Sequence, residues 1–146
     1  MQPETGITAV AHVIQLSVAP VFLLSAVAAM LAVMINRLSR IVDRARGLEA
    51  SLPGAAPDTS AALHAQLRTL SSRARLINTA ITLCTTTALL VCAVIGTLFL
   101  GAFLNFDASV PAALLFVTAM LALFAGLLSF LREIRLATQT LRIGPH

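Results

Sequence analysis

The sequence predicts an all-α membrane protein with three transmembrane helices, because of its composition, its three long apolar segments and the placement of its arginines. Of its 146 residues, 58% are hydrophobic and 11% are charged. Soluble domains have about 45–50% apolar and about 25% charged residues. A chain with so few polar residues cannot cover a hydrophobic core with them. Lipid must therefore be part of the solvent of this chain.

Three apolar segments are long enough to cross a hydrocarbon layer of about 30 Å, which takes about 20 helical residues. They cover residues 13–35, 77–99 and 110–131, and none contains a charged side chain. In lipid every backbone polar group must be bonded within its own segment, so these segments are predicted to be helices.

All basic residues are arginines, and each lies between the first and second spans or after the third. By the positive-inside rule the N-terminus is expected outside and the C-terminus in the cytoplasm. The start of the chain lacks the positive region of a cleavable signal peptide, so the first span is expected to be retained. The pI of about 11.1 is thus explained by topology, and we expect no nucleic-acid partner.

Residues 36–76 are predicted to form a cytoplasmic antiparallel helical hairpin. In both arms apolar residues recur at steps of three and four, like the seam of two packed helices. The seams are Leu38, Ile41, Ala45, Leu48 and Leu52, and Leu63, Leu67, Leu70, Ala74 and Ile77. Pro53, Gly54 and Pro57 separate the arms. No break signal separates the first span from the first arm, which allows one continuous helix.

The cytoplasmic tail, residues 132–146, keeps a weaker helical seam that ends at Gly144 and Pro145. The seam consists of Phe130, Ile134, Ala137 and Leu141. Its apolar residues leave open whether the tail lies beside the hairpin or along the membrane surface. The chain is otherwise a single membrane domain without repeats.

Two stretches, AHVIQLSVAPVFLLSAVAAMLAVMINRLSRIVDRAR and RARLINTAITLCTTTALLVC, resemble a group of small bacterial membrane proteins catalogued as domain of unknown function 2721. The resemblance covers about residues 11–136, and its most specific elements are NRLSRIVDRAR and RARLIN. It implies a membrane location and a bacterial context, and it implies no established activity or catalytic residues. We expect this membrane to be the bacterial cytoplasmic (inner) membrane.

The second span has one polar face, because its polar residues fall within an arc of about 120° on a helix of 3.6 residues per turn. The face consists of Asn78, Thr79, Thr82, Thr85 and Thr86 and continues through Leu89, Ala93 and Gly96. Only Thr87 strays from it. The opposite side is expected to face lipid and holds Leu83, Leu90, Val91, Val94 and Leu98.

Two interpretations fit this face. Small and hydroxylated residues let membrane helices approach closely and exchange hydrogen bonds, so the face can be a packing surface. Alternatively, several copies bring their second spans together around a water-lined path, with Leu89 as an apolar constriction. The other spans carry narrower small-residue edges, which are Ser25, Ala29, Ala32 and Asn36, and Ala119, Ala122, Gly126 and Ser129. The wider arc of the second span predicts a homo-oligomer.

The arginines close to the membrane also have two interpretations. They are Arg37, Arg40, Arg44, Arg73 and Arg75. They can be the topology signal on solvated faces, or they can bind anionic lipid headgroups or an acidic cytoplasmic protein partner.

No phosphate-binding glycine loop, metal-spaced His/Cys cluster, nucleophile with its base, or buried carboxylate is predicted. We therefore expect no catalytic, metal or cofactor-binding residues and no enzyme. Coupled carriers usually need an ionisable residue at membrane depth, and the spans have none. The sequence favours a passive pore for ions or small solutes, and the alternative is a non-enzymatic scaffold or adaptor that uses the arginine-rich hairpin.

Overall fold

The computed structural model describes residues 4–139, which form three α-helices. They are α1, Glu4–Ala50, α2, Pro57–Leu104, and α3, Ser109–Gln139. All three are long and apolar enough to cross a membrane, and no strand occurs in the described part of the chain. The all-α fold with three candidate spans is thereby confirmed.

Two of the helices join a predicted span to a predicted hairpin arm without a break. The helix α1 continues from the first span through the first arm, and α2 contains the second arm and the second span. It ends at Leu104, five residues later than the hydropathy pattern predicts. The third helix continues past its span to Gln139, whereas residues 140–146 of the predicted tail lie outside the described residues.

The connection between α1 and α2 uses the predicted breakers. Gly54 has a φ of 93°, in the left-handed region that favours glycine. Pro57 is the first residue of α2, a position where its missing N–H costs nothing. The backbone N–H of Ser60 donates to the carbonyl of Ala56 at 2.8 Å and so starts the helical bonding of α2.

The turn between α2 and α3 is tight. The N–H of Phe106 donates to the carbonyl of Gly101 at 3.2 Å, and Asn105 has a φ of 54°. A Cβ atom at Gly101 would collide with the side chain of Ala108, so the chain can close here only because Gly101 has none. The hydroxyl and backbone N–H of Ser109 both donate to Asp107, and these bonds lower the pKa of the Asp107 carboxyl.

The chain divides into two compact units. The first unit consists of the residues up to Leu31 together with Leu83–Phe124, and the second consists of Ala32–Thr82 together with the residues from Ala125 onward. The core of the first unit is made of small and β-branched residues. Its buried residues include Val13, Val27, Cys84, Thr87, Val91, Val94, Ala112 and Ala119.

The second unit contains the two seams of the arms. Ile41 and Leu70 are buried, and Ile77 has no exposed surface, while the remaining seam residues are half-buried. Both arms line one open groove of about 340 Å³, with Ile41 and Ala45 on one side and Leu67 and Ala74 on the other. Residues of both seams therefore line the same groove within this unit.

Candidate functional site: an exposed polar helix face and a buried ion cluster

All eight residues of the predicted face of the second span are exposed on the single chain. We call them the α2 polar face, and they are Asn78, Thr79, Thr82, Thr85, Thr86, Leu89, Ala93 and Gly96. Because α2 is continuous through this region, these residues share one side of one helix. The residues up to Thr82 belong to the second unit and the others to the first, and the structure leaves the surface of all eight open.

Two threonines of this face bond to their own helix. The hydroxyl of Thr79 donates to the carbonyl of Arg75 at 2.9 Å, and that of Thr82 donates to the carbonyl of Asn78 at 2.9 Å. Such a bond one turn back satisfies the hydroxyl hydrogen in lipid. On Thr79 it also leaves lone pairs that point away from the carbonyl and can accept from water or a neighbouring chain.

The expectation that the opposite side of the second span faces lipid is wrong. Val91 and Val94 are buried in the first unit, and the other residues of that side are half-buried. The free energy of an apolar side chain is nearly the same in lipid as in the protein interior, because both are apolar. Hydropathy alone therefore does not predict which apolar side of a helix is buried in the protein.

Thr87, which strays from the α2 polar face, belongs to this inward side. It has no exposed surface, and its hydroxyl donates to the carbonyl of Leu83 at 2.9 Å and to that of Ala119 on α3 at 3.3 Å. The position of Thr87, a polar residue outside the polar face, thus indicated a contact between α2 and another helix.

The small-residue edges of the first and third spans differ in burial. In α3, Ala119 and Gly126 are buried, and Ala122 and Ser129 are half-buried. In α1, all four residues of the edge are exposed, as is the whole α2 polar face. The small-residue edge of α1 and the α2 polar face are therefore exposed, whereas the small-residue edge of α3 packs within the protein.

A buried ion cluster lies in the second unit, and the expectation of no buried carboxylate is wrong. Glu133 of α3 has no exposed surface. Its Oε1 accepts hydrogen bonds from Nε and a terminal nitrogen of Arg73 on α2, at 3.1 and 2.9 Å. Its Oε2 lies 2.7 Å from a terminal nitrogen of Arg37 on α1, an ion pair outside hydrogen-bond geometry.

The two arginines of the cluster are held differently. Arg73 makes two directed bonds to one oxygen, and its side chain is 20% exposed. Arg37 is 33% exposed, and its guanidinium also lies over the ring of Phe130, 5.4 Å from the ring centre. The carboxylate of Glu133 on α3 thus contacts both α1 and α2 and places α3 beside both arms within the second unit.

The pattern of the tail contained a signal for Glu133. Counting back from Ala137 by four and then by three residues gives Glu133 and Phe130, the spacing of one helix face. An acidic residue at a seam position must be paired, because a buried charge without a partner is costly. The expected partner of Glu133 is an arginine, because the chain has no lysine. Only the tertiary structure shows which arginines pair with it.

The five arginines predicted to meet headgroups or a partner fall into two groups. Arg37 and Arg73 are half-buried and pair with Glu133. Arg40, Arg44 and Arg75 are exposed. Within residues 4–139, no group of three or more His, Cys, Asp or Glu side chains could hold a metal ion.

Comparison with known protein families gives a match over most of the chain. A family model described as a protein of unknown function, DUF2721, matches residues 17–143. No curated protein and no solved structure matches the chain.

Proposed function

Because this chain belongs to the DUF2721 family, whose description assigns no activity, we propose its function from its own geometry. Three long apolar helices make it a multi-pass integral membrane protein. We propose that several copies assemble with their α2 polar faces around a passive path for ions or small solutes. In this proposal the protein needs no cofactor and is not an enzyme.

The proposed orientation follows the arginines. The N-terminus lies outside a bacterial cytoplasmic membrane, and the arms of α1 and α2 form an antiparallel hairpin in the cytoplasm with the C-terminal part of α3. This arrangement keeps every arginine on one side, as the positive-inside rule requires. Residues 100–109, which carry no arginine, then lie on the outer side.

The observation that carries the proposal is the inverted polarity of α2. In its membrane-spanning part Val91 and Val94 are buried, whereas the asparagine and the four threonines of the α2 polar face are exposed. The helix α3 has the opposite arrangement, with an exposed stripe suited to lipid. That stripe is Leu114, Val117, Leu121, Phe124, Leu128 and Leu131.

A lipid-facing α2 would gain nothing from segregating its threonines on the exposed side. An α2 that meets water or other copies would, since the hydroxyl oxygens can accept hydrogen bonds there. Most oligomers of soluble proteins consist of several copies of one chain arranged with symmetry, and we propose the same arrangement for this protein. Leu89, 67% exposed, follows the last threonine of the face and would form an apolar constriction.

The first test is the mass of the protein in mild detergent, together with ion flux through liposomes that contain it. We expect an oligomer, and we expect Leu89→Ala to increase the flux by widening the constriction. The matched control is Leu121→Ala, because Leu121 is 65% exposed on the lipid-type stripe of α3. This control should leave the flux unchanged.

The threonines are tested in the same liposomes. Replacing Thr82 by Leu removes a hydroxyl from the proposed path and should reduce the flux, whereas Thr118→Leu should not. Thr118 is exposed on α3 and donates to the carbonyl of Leu114 in its own helix, as Thr82 does to Asn78. A monomer without flux in any preparation would refute the pore, as would equal effects of the paired variants.

The second candidate function is a non-enzymatic scaffold or adaptor that binds anionic lipid or an acidic protein through the hairpin. The observation that favours it is the exposure of Arg40 and Arg44, which lie one turn apart on α1 just beyond the first span. Under this function, Arg40→Glu combined with Arg44→Glu should reduce the anionic phospholipid that co-purifies with the protein. Unchanged lipid content would count against it.

A further inference from the structure

We propose that the path along the α2 polar face is selective for small inorganic anions and that Arg75 determines this selectivity. The inference rests on the proposed function, since it requires that the path conducts. It adds the class of permeant ion, which neither the family nor the hydropathy pattern specifies.

Arg75 lies at the cytoplasmic entrance of the proposed path. It is exposed, and it stands four residues before Thr79 and seven before Thr82, so all three share one helix side. The hydroxyl of Thr79 donates to the carbonyl of Arg75 itself at 2.9 Å. The charged residue and the first hydroxyls are therefore consecutive along the same surface.

The charge of Arg75 is not neutralised within the described chain. Over residues 4–139 its guanidinium has neither an ion pair nor a hydrogen bond, whereas Arg73, two residues earlier, is paired with Glu133. The acidic residue of α2 is Asp58, about 26 Å away along the helix at 1.5 Å per residue. That distance exceeds the Debye length of about 8 Å in physiological salt.

Two features of the face act on a permeating ion in opposite directions. The hydroxyls of Thr79 and Thr82 donate to their own helix, so their oxygens present lone pairs, which favour cations and water. These oxygens carry partial charges, whereas each Arg75 carries a full positive charge. In an assembly the entrance would hold one such charge per copy, and rings of arginine or lysine favour anions. The full charge therefore decides the preference.

The experiment measures the reversal potential of liposome membranes under a potassium chloride gradient. The wild-type protein should prefer chloride to potassium. Arg75→Gln should lower the chloride-to-potassium permeability ratio by at least about fivefold, which is roughly the effect of one unit charge at about 4 Å in water, because the assembly loses one charge per copy. Arg75→Glu should reverse the preference. Both variants change an exposed side chain, so the fold should tolerate them.

The matched control is Arg46→Gln, which removes one positive charge from an exposed position on α1. Its permeability ratio should equal that of the wild type, because overall net charge does not set the preference. Flux in the wild type with an unchanged ratio in both Arg75 variants would overturn the anion proposal and leave the pore intact. Absence of any flux, even with Leu89→Ala, would overturn the pore itself and the anion proposal with it.

Discussion

In the second unit, the fully buried carboxylate of Glu133 on α3 contacts Arg73 on α2 and Arg37 on α1, and it thus joins three helices. In the first unit, the helices meet through small residues and through the hydroxyl of Thr87, which donates to the carbonyl of Ala119. Both units join the same three helices, and they do so with different chemistry.

The two units differ because one part of each helix lies in hydrocarbon, whereas the other part lies where charged side chains can remain partly exposed. In hydrocarbon a charge is expensive, and apolar helices gain little from meeting one another, so close contact between small residues is the effective way to join them. At the arginine-rich end of the spans, Arg37 and Arg73 retain partial exposure and neutralise a buried carboxylate. Such a cluster specifies which helix faces meet more than it adds free energy, because its desolvation offsets much of the attraction.

The largest effect is expected from breaking the ion cluster of the second unit. Glu133→Ala leaves Arg37 and Arg73 without their partner, and removing one member of a buried pair costs about 3–5 kcal/mol. The low end applies here, since both arginines are partly exposed. Thermal unfolding in detergent, followed by circular dichroism at 222 nm, measures the loss.

The control for Glu133 is Glu49→Ala, which removes an exposed carboxylate from the same unit. It should change the free energy of unfolding by less than about 0.5 kcal/mol. Equal unfolding temperatures for the two variants would show that the cluster does not hold the second unit together.

A smaller loss is expected from the turn that closes the first unit. In Gly101→Ala the new methyl group overlaps Ala108 and lies 3.2 Å from the carbonyl oxygen of Phe106, so the turn must open. Overpacking of this kind costs about 1–3 kcal/mol. The same unfolding measurement applies.

Gly47→Ala is the control for this turn, because nothing lies within 4 Å of a Cβ atom placed there in α1. It should raise stability by about 0.5–1 kcal/mol, the usual gain from replacing glycine within a helix. If Gly101→Ala were as stable as Gly47→Ala, the close approach of the turn to Ala108 would not be required.

The smallest loss is expected from the shared hydroxyl of the first unit. Thr87→Val keeps the shape of the side chain and removes its bond to Ala119, and interhelical bonds in membranes average about 0.6 kcal/mol. Thr118→Val, which removes a bond within one helix, should have almost no effect. A loss for Thr87→Val as large as that for Glu133→Ala would erase the contrast between the units.

The candidate site was partly predictable. The residues of the α2 polar face follow from helix periodicity alone, and the structure leaves all of them exposed. The cluster at Glu133 was missed, although the spacing of Phe130, Glu133 and Ala137 places the acid on an apolar seam. Local periodicity shows that a residue lies on a seam, but it does not show which residues of distant helices arrive opposite.

By itself the sequence determined the number of helices long enough to span, the expected side of the arginines and the segregation of the threonines. These properties depend on hydropathy, charge and helix geometry, which are local along the chain. Only the tertiary structure decided that Val91 and Val94 turn inward and that Arg37 and Arg73 meet Glu133. Hydropathy cannot orient a helix among apolar surroundings, because lipid and protein interior are nearly equivalent to an apolar side chain; close packing and charge pairing make that choice.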